Sequence, residues 1–166
     1  MAYVLSLVVY TAVAMVLHEL GHLAAARACR VQASELGLGL GPRILGFRAG
    51  PILFSLRALP LGSFVRLNAQ ELRGKSIRQQ LLVHLAGVLV NTALGIAAYG
   101  TLFGWVNLLL AAGNLLPLYQ HDGWKCGVVL MRALVGRKSR PVEWTFTFSG
   151  CFISLVLINS IVRYFI

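Results

Sequence analysis

Residues 14–28 read "AMVLHELGHLAAARA", an apolar run of helical length that nonetheless carries His18, Glu19 and His22. On an α-helix, residues four apart lie one turn above each other on the same face, so both imidazoles point one way. Glu19 stands beside the pair. Polar groups of this kind are expensive inside a bilayer and mark function where they occur.

The rest of the chain supports the membrane setting. Of its 166 residues, 58% are hydrophobic and 12% charged, with a mean hydropathy of +0.77. A soluble domain is about 45–50% apolar and about 25% charged, so this chain cannot cover a water-facing surface. Four segments, roughly 2–26, 79–100, 102–119 and 144–165, approach the about 20 residues that a bilayer requires. The predicted fold class is an all-α polytopic membrane protein of about four transmembrane helices, with a small membrane-associated β-sheet between the first and second. The expected elements are a helix over 2–28, a β region over 31–68, helices over 79–100 and 102–119, an amphipathic segment over 124–136 and a helix over 143–165. Together they make a single membrane-embedded domain over 1–166. Only about two residues separate the second and third spans, which predicts a tight antiparallel pair.

The formal charge of +10 would suit nucleic acid, but its distribution argues otherwise. Nine of the 15 Lys and Arg lie between Arg27 and Arg78, and five more between Lys125 and Arg140. Both blocks follow an odd-numbered span, so both fall on one side of the membrane. The positive-inside rule makes that side cytoplasmic and puts both termini outside. Solvated faces and lipid headgroups account for these charges, and no nucleic-acid partner is expected. The N-terminal run lacks the basic start of a signal peptide, and cleavage after Ala24-Ala25-Ala26 would discard the histidines. Cys29, Cys126 and Cys151 form no C-x-x-C and read as reduced packing residues.

Residues 33–68, "ASELGLGLGPRILGFRAGPILFSLRALPLGSFVRLN", are punctuated by glycine and proline, with short alternating stretches between. They predict a few short strands joined by turns. At the cytoplasmic interface the backbone of so apolar a segment must pair its polar groups with one another or line a protein cavity, and a small sheet does this while leaving an edge strand free. Residues 69–78 read as a polar link, and 137–141, "RKSRP", as a basic linker. Trp105, Trp124 and Trp144 fall near predicted span ends, as interfacial tryptophans do.

The pattern H-E-x-x-H has a definite chemistry. Two histidines one turn apart can hold one zinc ion, and the intervening glutamate can take a proton from metal-activated water attacking a carbonyl. Arg27 marks the cytoplasmic edge five residues past His22, about 7–8 Å at helical rise, so the metal would lie just inside the membrane. Zinc needs at least one more protein ligand. The candidates are Glu35, Glu71, Asp122, Glu143, His84 and His121. Asp122 stands out in "GNLLPLYQHDGW", at the cytoplasmic end of the third span, where Pro117 and Gly123 free the chain to aim a carboxylate. His121 is the alternative in the same stretch, and His84 reads as a hydrogen-bonded packing residue.

At this point the chain resembles the site-2 protease family of intramembrane zinc metalloproteases. That family pairs H-E-x-x-H in its first core helix with N-x-x-P-x-x-x-x-D-G at the end of its third. Here these are "HELGH" at 18–22 and "NLLPLYQHDG" at 114–123. "GLGLGPRILGF" and "ALPLGSFVRLN" resemble its membrane-dipping β segment, "LAGVLVN" its A-G-P-x-x-N element, and "WVNLLLAAGNLLP" its paired-asparagine run. The likeness covers roughly residues 5–135 and is to a minimal form, without PDZ or nucleotide-sensing domains. Val88 stands where the family usually has Pro, "YQH" replaces a Pro-rich approach to the Asp, and Trp124-Lys125 follow the D-G. None of these departures touches a metal-ligand position.

The resemblance implies one zinc ion per chain, held by His18, His22 and Asp122, with Glu19 as catalytic base. It implies that Asn114 and Asn91 bind the substrate backbone or the developing oxyanion. A helix–helix hydrogen bond is the competing role for Asn91 and Asn107. The implied function is hydrolysis of a peptide bond within or near the cytoplasmic end of a transmembrane protein, with the lipid bilayer as setting and a regulatory or adaptor protein as a further partner. A non-proteolytic scaffold of the same family is one alternative, though the complete ligand-plus-base set argues against it. A metal-ion transporter is another, though it would spread polar residues through several spans.

Overall fold

A computed structural model of the chain describes residues 1–135 and 140–165. Most of the basic linker expected over 137–141, and the last residue of the amphipathic segment expected over 124–136, lie outside the described residues. The rest forms two compact units, Met1–Ala112 and Gly113–Ile166.

The first unit begins with α1 (Ala2–Ala28), which changes character along its length. Its N-terminal half exposes Tyr3, Val4, Leu5 and Val8, whereas Ala14, His18, Glu19, His22 and Ala26 are buried. These buried positions recur at helical spacing and face α3 (Ile77–Ala97). The close crossing depends on Gly21, where a Cβ would lie 2.8 Å from the Ala86 carbonyl oxygen; small residues let helices approach in this way. A capping box at Ser76 and Gln79 starts α3 two residues before the expected boundary.

The β region is longer and simpler than a set of short strands. It is two strands, β1 (Ala33–Ala49) and β2 (Ile52–Leu67), paired antiparallel and joined through Gly50 at φ 60. Both are bent. Residues 35–38 of β1 therefore have neighbours on either side: Leu36, for example, is opposite both Val65 and Phe54. The stretch 63–67 thus lies at an edge of the sheet. The sheet is pinned to α1 by Leu23 against Ala33, Leu36 and Ile52. Beneath the end of α1, Ala26, Cys29 and Val31 pack with Leu72 of α2 (Ala69–Arg73) and Val83 of α3. The polar link thus contains a short helix, capped by the Asn68 side chain.

After α3 the chain turns through Ala98–Thr101 into α4 (Leu102–Leu115). The expected tight reversal is present: Gly95 meets the Leu108 side chain, and Gly104 lies against the Ala98 carbonyl. However, α4 ends at Leu115 rather than 119. Pro117 has no N–H to continue the ladder and disfavours helix at the residue before it. Its 14 residues give about 21 Å of helix, short of the roughly 30 Å hydrocarbon core. Among the described residues, two helices are long and apolar enough to cross a membrane, α1 and α3. The fold class is therefore mostly helical, with a small antiparallel sheet and two candidate membrane helices.

The second unit contains the end of α4, α5 (Asp122–Val135) and α6 (Arg140–Phe165). Gly123 brings the start of α5 onto the end of α4, since a Cβ there would lie 2.0 Å from the Leu115 carbonyl oxygen. Arg132 of α5 pairs with Glu143 of α6 through two guanidinium nitrogens.

Candidate metal centre

Every element of the H-E-x-x-H cluster is set by α1 and its neighbours in the first unit. His18, Glu19 and His22 are each less than a tenth exposed. The His22 ring is oriented from outside its own helix, because its Nδ1 lies 2.7 Å from the Val83 carbonyl oxygen of α3. A carbonyl only accepts, so Nδ1 carries the proton and Nε2 presents a lone pair. Histidine metal ligands are commonly fixed in this manner by a partner on the other nitrogen.

That lone pair faces the other histidine. The two Nε2 atoms are 3.1 Å apart, and the rings meet edge to face. Two nitrogens on one tetrahedral zinc ion would be roughly 3.3 Å apart at ordinary Zn–N lengths. The pair is thus spaced to share an ion.

Room for the ion comes from α3. A Cβ at Gly87 would lie 2.5 Å from His22 Nε2 and 2.7 Å from both Cε1 and Nε2 of His18. The missing side chain leaves a cradle at the nitrogens that would bind metal. With two converging imidazole nitrogens, a carboxylate beside them and space at their tips, the residues fit a zinc ion.

Glu19 is held by the sheet. Ser63 Oγ, on the edge stretch of β2, lies 3.0 Å from Glu19 Oε1 and 3.3 Å from the Met15 carbonyl oxygen. The hydroxyl has one proton to donate, and the shorter contact, to Glu19, ties the carboxylate to the strand. Ser63 and Gly87 were not singled out as site residues by sequence reasoning. Gly87 falls within the quoted "LAGVLVN", but its role is spatial. Ser63 carries no local signal at all.

Asn91, one turn past Gly87 on α3, is fully buried, and neither atom of its amide has a hydrogen-bond partner among the described residues. An uncompensated buried amide is costly and needs an explanation. Asn107 of α4 donates to its own helix, at the Phe103 carbonyl oxygen.

The remaining sequence candidates belong to the second unit or are engaged elsewhere. Asp122 opens α5, where the helix dipole favours a carboxylate. It is 2% exposed, with Lys125 Nζ 3.0 Å from its Oδ1. His121 Nδ1 is 2.8 Å from the Gly113 carbonyl oxygen. Asn114, half-buried, lies one residue before the end of α4. Glu35 is buried in the sheet, where Ser55, Arg57 and Arg66 all reach its carboxylate. The Ser55 hydroxyl, followed by Arg57 and Arg66, holds its pKa below the usual carboxylate range against the opposing effect of burial. Glu71 accepts from Asn68 and the Gln32 backbone, and Glu143 pairs with Arg132. His84 is half-buried on α3.

Comparison with known proteins agrees with this chemistry. The sequence pattern of Peptidase family M50 matches residues 6–104. A Clostridium perfringens protein named as a zinc metalloprotease is 31% identical over 107 residues. The zinc metalloprotease RasP of Geobacillus kaustophilus is 32% identical over 68 residues. The regulator of sigma-W protease RasP of Bacillus subtilis is 37% identical over 54. These alignments cover 60%, 41% and 32% of this chain, but 32%, 16% and 13% of the relatives' own lengths. The matched stretch is therefore a third or less of each relative.

Proposed function

The chain belongs to Peptidase family M50, the site-2 protease family of zinc metalloproteases, and from that premise we propose that it is an intramembrane zinc endopeptidase. Its substrate in this reading is a membrane-spanning protein, cut within or near the cytoplasmic end of the span. The observation that carries the reading is the pair of buried Nε2 atoms 3.1 Å apart, with Glu19 adjacent.

His18, His22 and Asp122 are the proposed ligands of one zinc ion per chain. Their support is their chemistry: two imidazoles and a carboxylate, each buried within its own unit, are ligand types that suit zinc. Bound there, zinc would supply Lewis acidity to water and to the scissile carbonyl. The chain's own residues do the rest. Glu19 takes the proton of the attacking water and returns it to the leaving amine, so the general base of the first step is the general acid of the second. Asn91 and Asn114 bind the substrate backbone or the developing oxyanion; the unpartnered buried amide of Asn91 suits that task.

A helical substrate hides its carbonyls in its own hydrogen bonds and must unwind to be cut. The edge stretch 63–67 can hold the unwound segment by β-augmentation. Ser63 on that same stretch contacts Glu19, so a strand added there would run beside the catalytic base. The enzyme in this reading is one membrane-embedded domain with four spans. The two shorter apolar helices, Leu102–Leu115 and Glu143–Leu157, supply the third and fourth. Basic loops and active site face the cytoplasm, both termini lie outside, and a regulatory or adaptor protein selects the substrate.

The test is cleavage of a transmembrane reporter by wild type and by Glu19→Gln, with zinc content measured on both. Cleavage should vanish while zinc stays bound. Equal cleavage by the two proteins would sink the mechanism.

A further inference from the structure

A cavity of about 780 Å³ opens where α1 ends and the sheet begins. None of His18, Glu19 and His22 lines it. Its lining includes three arginines, Arg27, Arg30 and Arg66, together with the apolar Val31 and Ile52.

The charge in this cavity is poorly compensated. Among the described residues neither Arg27 nor Arg30 has a carboxylate partner. Arg66 shares Glu35 with Arg57 and keeps 62% of its side chain exposed. The other nearby carboxylate, Glu71, is engaged by Asn68 and the Gln32 backbone.

The backbone beneath Arg30 points the same way. Arg30 N–H bonds the Arg27 carbonyl and Val31 N–H the Ala26 carbonyl, a Schellman ending for α1 that places Arg30 in the left-handed region, at φ 54. Glycine is the residue that fits this position without penalty, because a Cβ is strained there. The sequence instead has an arginine, and this residue lines the cavity. Strain kept at one residue is a pointer to function when that residue also faces a site.

We infer that this cavity binds the phosphate headgroup of an anionic phospholipid, with Arg27, Arg30 and Arg66 on the phosphate. The inference rests on the membrane reading given above. The location fits it, since Arg27 lies in the last turn of a helix long and apolar enough to span a bilayer. Basic pockets at such ends are suited to anionic headgroups. A free phosphate offers the same charge, but it would leave the apolar lining and most of the volume unfilled. The bound lipid would anchor the end of α1 five residues past His22 and fix the depth of the metal centre.

The test uses the full chain purified in neutral detergent. Thermal melting is followed while phosphatidylglycerol, phosphatidylcholine of the same acyl chains, or inorganic phosphate is added. Phosphatidylglycerol should raise the melting temperature of wild type well above the effect of phosphatidylcholine, and inorganic phosphate should not reproduce the shift. In the double variant Arg27→Gln/Arg30→Gly the apparent affinity for phosphatidylglycerol should fall roughly thirtyfold. Arg30→Gly alone should melt no lower than wild type without lipid, because it relieves the strained turn. Equal shifts with the two lipids, a full shift with inorganic phosphate, or an undiminished response in the double variant would each overturn the inference. Flotation of wild type with phosphatidylcholine vesicles tests the membrane reading separately. Flotation retained with the lipid preference absent removes this site alone; flotation lost removes both.

Discussion

Gly87→Ala adds one carbon atom where the metal centre has no space for it. The new Cβ would meet His22 Nε2 at 2.5 Å and His18 Nε2 at 2.7 Å, against an ordinary contact of 3.4–4 Å. The contact can be relieved only by swinging both imidazoles or by moving α3 away from α1 by about 1 Å. The second route would undo the close packing of α1 on α3 at Gly21 and is resisted by the bond from His22 Nδ1 to Val83. Overpacking of this kind costs about 1–3 kcal/mol, which a folded unit can tolerate. The metal centre cannot, because a displacement of about 1 Å in a reacting group lowers rate about 100-fold. Zinc per chain, measured by elemental analysis, should fall well below one, and reporter cleavage should fall about 100-fold, while the protein still shows a cooperative melt. Gly113→Ala, where a Cβ meets nothing within 4 Å, serves as the control and should change neither. Full zinc occupancy and wild-type cleavage in Gly87→Ala would refute the placement of the ion between His18 and His22.

Ser63→Ala removes the hydroxyl that ties Glu19 to the sheet. We expect kcat to drop about tenfold, the scale of one hydrogen bond to a charged group, with KM and zinc content unchanged and partial rescue by Ser63→Thr. Asp122→Asn should lose zinc yet retain the helical circular dichroism of wild type, since the carboxylate's proposed role is ligation. Glu35→Ala should destabilise the first unit by about 2–3 kcal/mol, at the low end for a buried pair because Arg66 is open to solvent. The sign of the Glu35 pH effect follows from its lowered pKa. Its contribution is fully present above the ordinary glutamate range and is lost as pH falls through the depressed folded value. Acid titration of melting temperature should therefore show a step in wild type that Glu35→Ala lacks.

Local spacing was enough for much of the candidate metal centre. His18, Glu19 and His22 are adjacent on one helix, and a period of four residues places both rings on one face whatever the helix packs against. Apolar runs likewise made α1 and α3 legible, because their length and composition are properties of the segment alone. The end of α4 was readable too, and the expected boundary overran it only because the apolar character continues past Pro117 while the backbone ladder does not. The β region was misjudged in its segmentation. Its glycines and prolines suggest turns between short strands, whereas β1 and β2 run through most of them as two bent strands whose pairing shifts register along the way.

The sequence by itself determined which side chains this protein offers for zinc chemistry and where its apolar runs lie: the histidine pair, the glutamate between them, the family to which the chain belongs and two helices long and apolar enough to cross a membrane. Only the tertiary structure decided what holds that chemistry in place. The Val83 carbonyl that orients His22 is 61 positions away, and the Ser63 hydroxyl on Glu19 is 44. Glycine at 87 is meaningful only because α3 crosses α1 at the two histidines. Helical periodicity is a property of consecutive residues and survives in the sequence, but a contact between distant segments exists only once apolar burial has chosen which faces meet.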